Sequence, residues 1–341
     1  MAGHFIEHLT LHNFTAFEDA SIEFSPGVNV LIGENGTGKT HVMKVLYSAC
    51  MSRTSSPTFA EKLVRVFLPD ENRIGRLVHR RKGRGSANIS VKRSDGRELN
   101  LTFTTQMERP AQCKIESMGA WYESPPEAVY IPVKEMLTHA PGFLSVFKKY
   151  ELQFEEVYPD IIEKAQLPVL RGRPDAWRQS LLEQLRRIMD GTVVIEGEKF
   201  FHVSTDGKLE FTLLAEGLRK LGLLWLLIQN GSLTANSFLF WDEPEANLNP
   251  LMAETIIDIL LELQRHGVQV VMATHDYSTM KWLAVKKQDS DRIRYFALSR
   301  EDSAVRVHVT EDYYQVQPNP ISSSFDKLFD ETMKREASGS E

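Results

Sequence analysis

Apolar and polar side chains alternate along Phe5–His12 and again along Ala20–Phe24, and an unbroken apolar run fills Val28–Ile32. These patterns predict three strands. The third runs straight into Gly33, after which Val42, Met43, Leu46 and Tyr47 recur at helical spacing. Between Ile74 and Gln106 the texture shortens. Alternating stretches at Asn88–Lys92 and Glu98–Phe103, with turn residues at Lys82–Ser86 and Asp95–Gly96, predict a small antiparallel β-insertion. Ala128–Val133 reads as a core strand, and residues 134–190, punctuated by Pro141, Pro159, Pro168 and Pro174, as a helical, lid-like subdomain.

The last third returns to a regular rhythm. Leu209–Leu213, Phe238–Trp241 and Val268–Ala273 read as strands, with helices over Glu216–Gln229 and Leu251–Arg265. Such alternation implies a mostly parallel sheet flanked by helices. Arg292–Leu298 and Ala304–Val309 are expected as edge strands, and the Ser-rich, then charged tail after Pro318 as a frayed helix. The expected fold class is α/β, with an antiparallel β-subdomain and a helical insertion added to the core. Its regions are 1–58 and 206–317 for the two parts of the core, 59–127 for the β-rich insertion, 128–205 for a core strand and lid, and 318–341 for the tail.

Composition narrows the class rather than the function. The 341 residues are 42% hydrophobic and 25% charged, with a net charge of −6, an ordinary folded chain in which any nucleic-acid contact must be local. Cys50 and Cys113 make neither a disulfide framework nor a cysteine zinc site. The longest apolar run, Leu223–Ile228, is far short of the ~20 residues of a membrane span. The first residues lack the basic and apolar regions of a signal peptide. A soluble, cytoplasmic protein without membrane contact is expected.

The chemistry concentrates in three places. Gly33-Glu34-Asn35-Gly36-Thr37-Gly38-Lys39-Thr40 fits the phosphate-loop pattern G-x-x-x-x-G-K-[ST], between an apolar strand and a helix. Its glycines let successive N–H groups point at one anion at a helix N-terminus. Lys39 would reach the β- and γ-phosphates of ATP, and the Thr40 hydroxyl would take a place on Mg²⁺. The apolar strand 238–241 ends in Asp242 and Glu243, which would face the phosphate loop across the carboxyl end of a parallel sheet. Asp242 would hold the metal and Glu243 would orient or deprotonate the attacking water. One helix-start acid is commonplace; two in succession after a buried strand are not. His275 follows the next strand, where it could meet the γ-phosphate or the lytic water.

With these motifs, Leu214–Arg219 and Ala246–Asn249, the sequence resembles the ATP-binding-cassette ATPase superfamily in its soluble branch of structural-maintenance-of-chromosomes and RecF-like proteins. It is most similar to the standalone overcoming-lysogenisation-defect-like ATPases, whose middle region Val129–Leu137 also resembles. The resemblance covers about 1–50 and 205–300. It implies a homodimer that sandwiches two ATP molecules, each phosphate loop facing the partner's signature segment, here Ala215, Glu216 and Gly217. Ala215 stands where the family has serine and Asn249 where it has aspartate, which implies slow hydrolysis. The family's glutamine after the mid-sheet strand has no clear equivalent; Lys134 and Glu135 occupy that place.

Arg73, Arg76, Arg80, Arg81, Lys82, Arg84, Lys92, Arg93 and Arg97 stand against the single acid Asp95 in the segment 73–97. Such a patch could track DNA or RNA phosphates, blunt an edge strand, or attract an acidic protein. Few aromatics are interleaved, so base stacking is not expected. The resemblance further implies a metal-dependent nuclease domain at the C-terminus. Only about sixty residues follow His275, and Asp289-Ser290-Asp291 reads as a surface turn. The expected role is therefore an ATP-driven sensor or scaffold for a separately encoded nuclease or toxin, in antiphage defence. The alternative is a RecF-type DNA-repair ATPase, and a transporter subunit fits less well.

Overall fold

In a computed structural model of the chain, which describes residues 4–80, 83–119, 121–172, 174–301 and 304–338, the two kinds of hydrophobic pattern produce two kinds of sheet. The alternating strands β1 (Ile6–Phe14) and β2 (Phe17–Glu23) each bury one face. The next strand, β3 (Val28–Gly33), is buried on both, as its unbroken apolar run requires. Helix α1 (Lys39–Met51) leaves the loop after β3, and α2 (Phe59–Phe67) follows with a Thr58–Glu61 capping box at its start.

Strands β4 (Ser86–Arg93), β5 (Glu98–Thr104) and β6 (Lys114–Met118) do not form a module of their own. They extend the N-terminal hairpin into one antiparallel sheet, ordered β2-β1-β4-β5-β6, with Leu9 opposite Val91 and Leu11 opposite Ile89. Each hairpin alone would leave its apolar face in water; joined, they bury Leu9, Leu11, Ile22, Ile89, Val91, Leu99 and Leu101 on one side.

Strand β7 (Ala128–Ile131) belongs to the main sheet. Helices α3 (Phe143–Tyr150), α4 (Val157–Ala165) and α5 (Ala176–Met189) then occupy the expected helical region. Three strands follow: β8 (Thr192–Glu196), β9 (Lys199–Ser204) and β10 (Gly207–Glu210), a small antiparallel sheet in the order β10-β9-β8. The expected strand at Leu209–Leu213 is thus shifted: it ends at Glu210, and Phe211–Leu213 is a helical turn whose Phe211 ring fills the space over Gly222.

Helix α6 (Glu216–Gln229), β11 (Phe238–Asp242), α7 (Pro250–Arg265), β12 (Gln269–Ala273), α8 (Tyr277–Lys286), β13 (Ile293–Glu301), β14 (Ala304–Thr310) and α9 (Pro320–Ser338) complete the chain. The main sheet runs β14-β13-β3-β12-β11-β7 and is parallel except for β14. Of the two expected edge strands only β14 is at the edge. Strand β13 pairs with β3 from Ile293 opposite Val28 to Leu298 opposite Gly33, and its residues 295–298 are buried. Alternate side chains of the main sheet enter two apolar cores. Val30, Leu239, Trp241 and Met272 pack with α4 to α8; Leu31, Phe240, Val271 and Ala273 pack with α1, α2 and the antiparallel sheet. The carboxyl ends of β3, β11 and β12 therefore emerge side by side.

Candidate nucleotide site

The loop 33–40 bends back between β3 and α1. Gly33 has φ +146°, and a side chain there would run into the Leu298 carbonyl at 2.2 Å; Gly38 has φ +93° and lies against the Phe17 ring. The β1–β2 turn and β13 thus press on the loop from both sides, and Arg300, at the end of β13, donates to the Gly36 carbonyl at 3.2 Å. Inside the loop, Lys39 is 6% exposed, and its ammonium donates to the carbonyls of Gly33 (2.8 Å) and Glu34 (2.9 Å). Burial lowers its pKa, against the raising influence of Asp242 and Glu243. Thr37 closes the turn through a bond to the Glu34 carbonyl.

Across the sheet, the Thr40 hydroxyl donates to Asp242 Oδ2 at 3.0 Å, and the Tyr130 hydroxyl reaches the same oxygen at 3.3 Å. Burial pushes the Asp242 carboxyl up; the two hydroxyls counter this and Glu243 adds to it. A buried carboxylate beside a helix-start hydroxyl is a hard, two-oxygen donor set. That suits Mg²⁺, which takes few protein ligands and completes its shell with phosphate and water. Among the described residues no cluster of three or more His, Cys, Asp or Glu supplies a fuller cage.

Glu243 turns the chain out of β11 with φ +48°, its N–H on the Ala273 carbonyl. Its Oε1 lies 3.3 Å from His275 Nε2, with both side chains about one-third exposed. Burial, then the charge of Lys39, lower the His275 pKa, so the ring is largely neutral at neutral pH and one nitrogen can donate while the other accepts. The structure thus brings Lys39, Thr40, Asp242, Glu243 and His275 to one edge of the main sheet.

Ala215, Glu216, Gly217 and Asn249 fall into a second cluster. Ala215 precedes α6 without offering a capping side chain. Gly217 is packed so closely that a Cβ would meet Met252 Sδ at 2.8 Å, and Glu216 accepts from Asn247 at 3.1 Å. Lys220 and Arg219 anchor this helix, the first to the carbonyls of Pro244 and Ala246, the second to Glu135 at 3.4 Å. Glu135 also accepts from Leu137 and Thr138, so of the two residues in the glutamine's neighbourhood, Lys134 and Glu135, the latter is committed to structure. No hydrogen bond or ion pair among the described residues joins Ala215, Glu216 or Gly217 to the phosphate loop of the same chain.

Sequence reasoning missed Tyr130, Arg300, Phe17 and Glu245. Tyr130 carried a signal, a hydroxyl inside an otherwise apolar strand end; the others touch the site only through pairings the sequence does not reveal. The basic segment changes meaning in three dimensions. Arg73 pairs with Glu71 (2.8 Å) and Arg76 with Asp70 (3.5 Å). Lys92 pairs with Glu7 (3.1 Å), and Arg93 and Arg97 both hold Asp95. The neutralising acids, Asp95 apart, lie just outside the window or across the sheet. Arg80 and Arg84 are exposed, and Arg81 and Lys82 lie outside the described residues. Asp291 is buried under Arg265 at 2.7 Å, which makes it a structural acid. A cavity of about 900 Å³ lies away from the loop, between α8 and the C-terminal segment, beside Tyr277, Lys281, Tyr313 and Tyr314.

Several known proteins and family models are similar to this chain. A family model described as "AAA domain, putative AbiEii toxin, Type IV TA system" matches residues 144–281, and one described as "AAA domain" matches 8–157. The chain is similar to the DNA replication and repair protein RecF of Ligilactobacillus salivarius, 35% identical over 89 residues, 26% of this chain and 23% of that protein. RecF of a Geobacillus species is 38% identical over 61 residues, 18% of this chain and 16% of its own length. The chain thus spans about a quarter or less of these curated relatives. Among solved structures, an Smc head bound to the C-winged helix domain of ScpA superposes with a TM-score of 0.60 at 14% identity, covering 90% of this chain and 98% of that one. The Smc head from Pyrococcus furiosus, bound to the C-terminal domain of ScpA, gives 0.56 at 12% identity, covering 97% and 100%. The fold is that of an Smc head; in sequence, two parts of the chain are similar to AAA-domain models and shorter stretches are similar to RecF. Among the described residues no helix is long and apolar enough to cross a membrane.

Proposed function

We propose that the protein binds and slowly hydrolyses ATP, closing into a homodimer around two nucleotides in the manner expected of an SMC/RecF-type ATPase. The observation that carries this reading is the division of the site. Lys39, Thr40, Asp242, Glu243 and His275 converge on one edge, while Ala215–Gly217 stand apart from their own phosphate loop. On binding, the Lys39 ammonium exchanges two neutral carbonyls for phosphate oxygens, a stronger, charge-assisted bond. Thr40 and Asp242 would hold Mg²⁺, which would supply neutralisation of the phosphate charge. Glu243 accepts a proton from the attacking water, and neutral His275 holds that carboxylate in place or donates to the γ-phosphate.

The start of α6 offers backbone N–H groups to a partner's nucleotide, without the hydroxyl that Ala215 lacks. With Asn249 in the adjoining loop, this favours a long-lived closed state, a switch rather than a motor. For the partner, the RecF similarity favours DNA; the scaffold role for a nuclease or toxin in antiphage defence rests on the sequence resemblance alone, as does the overcoming-lysogenisation-like subgroup. The test is light scattering of the Glu243→Gln variant with saturating ATP and Mg²⁺. The expected result is a dimer that wild type forms only transiently; a monomer under all conditions overturns the sandwich.

A further inference from the structure

We infer that Glu245 is a positioning residue whose carboxylate ties the loop carrying His275 to the segment carrying Asp242 and Glu243, and so sets the meeting of His275 with Glu243. The inference rests on the ATPase reading above and names a member of the same site. Strands β11 and β12 are paired up to Asp242 opposite Ala273, and the Glu243 N–H on the Ala273 carbonyl is the last backbone bond across that pair. Beyond it both chains turn into loops. Glu245 Oε1 continues the connection, accepting from the Thr274 hydroxyl at 2.6 Å and the His275 N–H at 3.1 Å.

Thr274 is fully buried, and its N–H donates to the Leu31 carbonyl, in the strand that feeds the phosphate loop. Its hydroxyl oxygen also accepts from the Asp276 N–H, and Asp276 caps α8 through Thr279. One carboxylate oxygen thus fixes the residue before His275 and the backbone of His275 itself. The rings and acids further out have no such support: the side chains of His275 and Glu243 are 35% and 33% exposed. Their 3.3 Å approach depends on where the two loops are held.

The arrangement is not the one stability would choose. Among the described residues, Glu245 Oε2 is shut off from solvent without a hydrogen-bond partner, and burial, the dominant influence, pushes the carboxyl up. A buried oxygen left unpaired is destabilising, and such groups concentrate where a site needs them.

The experiment compares ATP turnover of the full chain as wild type, Glu245→Ala, Glu245→Gln and Thr274→Val, with Glu243→Gln as control. A displacement of about 1 Å at a reacting group costs about a hundredfold, so Glu245→Ala should lower kcat by about tenfold to a hundredfold with KM and ATP affinity within about twofold. Glu245→Gln keeps an acceptor for both donors and should restore most of the turnover. Wild-type kcat in Glu245→Ala, equal damage in Glu245→Gln, or a parallel loss of ATP affinity overturns the inference. If Glu245→Ala does not fold, Thr274→Val removes the hydroxyl that donates to Glu245 and accepts from Asp276: a several-fold fall in kcat supports the inference, and unchanged kcat overturns it. Absence of turnover in wild type overturns the ATPase reading instead. The positioning role is then read from the ring-nitrogen NMR shifts of His275, which Glu245→Ala should move and Glu245→Gln should not; unmoved shifts in both overturn it.

Discussion

Lys39 and Arg93 are both cations withdrawn from water, 6% and 2% exposed, and burial lowers the pKa of each. Their surroundings differ. Arg93 meets Asp95 at 2.8 Å, donates to the Ser124 carbonyl at 2.8 Å and lies over the Trp121 ring, so its charge is balanced inside the antiparallel sheet. Lys39 has no carboxylate within ion-pair distance among the described residues, and its hydrogen bonds go to two neutral carbonyls. Arg93, with its counter-ion, is part of the fold; Lys39 has none and sits inside the phosphate-loop motif, which leaves its charge available to a ligand. The same contrast separates the two charged regions as wholes. Five of the seven described basic residues between 73 and 97 find acids, whereas the few charges at the carboxyl edge of the main sheet face a space that would take phosphate.

The largest effect that could break this contrast is at Glu243. Glu243→Gln removes the proton acceptor but leaves Thr40 and Asp242 in contact, so ATP turnover should fall by about 10²–10⁴ while nucleotide affinity holds. Phosphate release at the wild-type rate would show that the exposed acid is not the base. Next comes Arg93→Ala, which leaves Asp95 buried with Arg97 as its remaining strong partner. Breaking such a pair costs about 3 kcal/mol, read as a fall in thermal midpoint, with ATP affinity unaffected. A larger effect on ATP than on stability would erase the distinction. Lys39→Ala should do the reverse: about a hundredfold weaker binding of a fluorescent ATP analogue, with little change in midpoint. Unchanged affinity would remove the phosphate loop from the site.

How legible this was depended on whether a residue's partner lay nearby in sequence. The phosphate loop, the acid pair after β11 and the helix Glu216–Gln229 were readable, because a strand, a turn and a helix signal follow one another within a few residues. Strands β8 and β9 were missed: each buries little, as Val193 and Phe200 among mixed neighbours show, and the short turn at Gly197 gave a weak signal. Strand β13 looked like an edge because nothing in its sequence reveals that β3 lies beside it. Glu245 and Arg300 belong to the site only through Thr274 and Gly36, contacts between neighbouring strands of the main sheet that lie far apart in sequence. Glu7 and Glu108 escaped a charge count over 73–97 for the same reason, and Asp70 and Glu71 because they lie just before that window.

The smallest effect concerns the part of that segment the acids leave over. Arg80 and Arg84 are exposed, and replacing both with Ala should change stability by less than about 0.5 kcal/mol, as exposed positions usually do. ATP affinity should not move, because neither touches the phosphate loop. If the remaining cations track a nucleic-acid backbone, the double variant should lower the salt slope of binding by about two, one per lost phosphate contact, and weaken binding equally for unrelated sequences. Adding Arg81→Ala should lower it by about one more. Arg73, Arg76 and Lys92, already paired, should contribute much less per residue, since each must leave a carboxylate before reaching a phosphate. Salt-titrated binding of single- and double-stranded DNA separates the outcomes. A slope unaffected by Arg80 and Arg84 but reduced by Lys92→Ala would mean that the ion pairs open on binding, and balanced charge in this sheet would then not be idle.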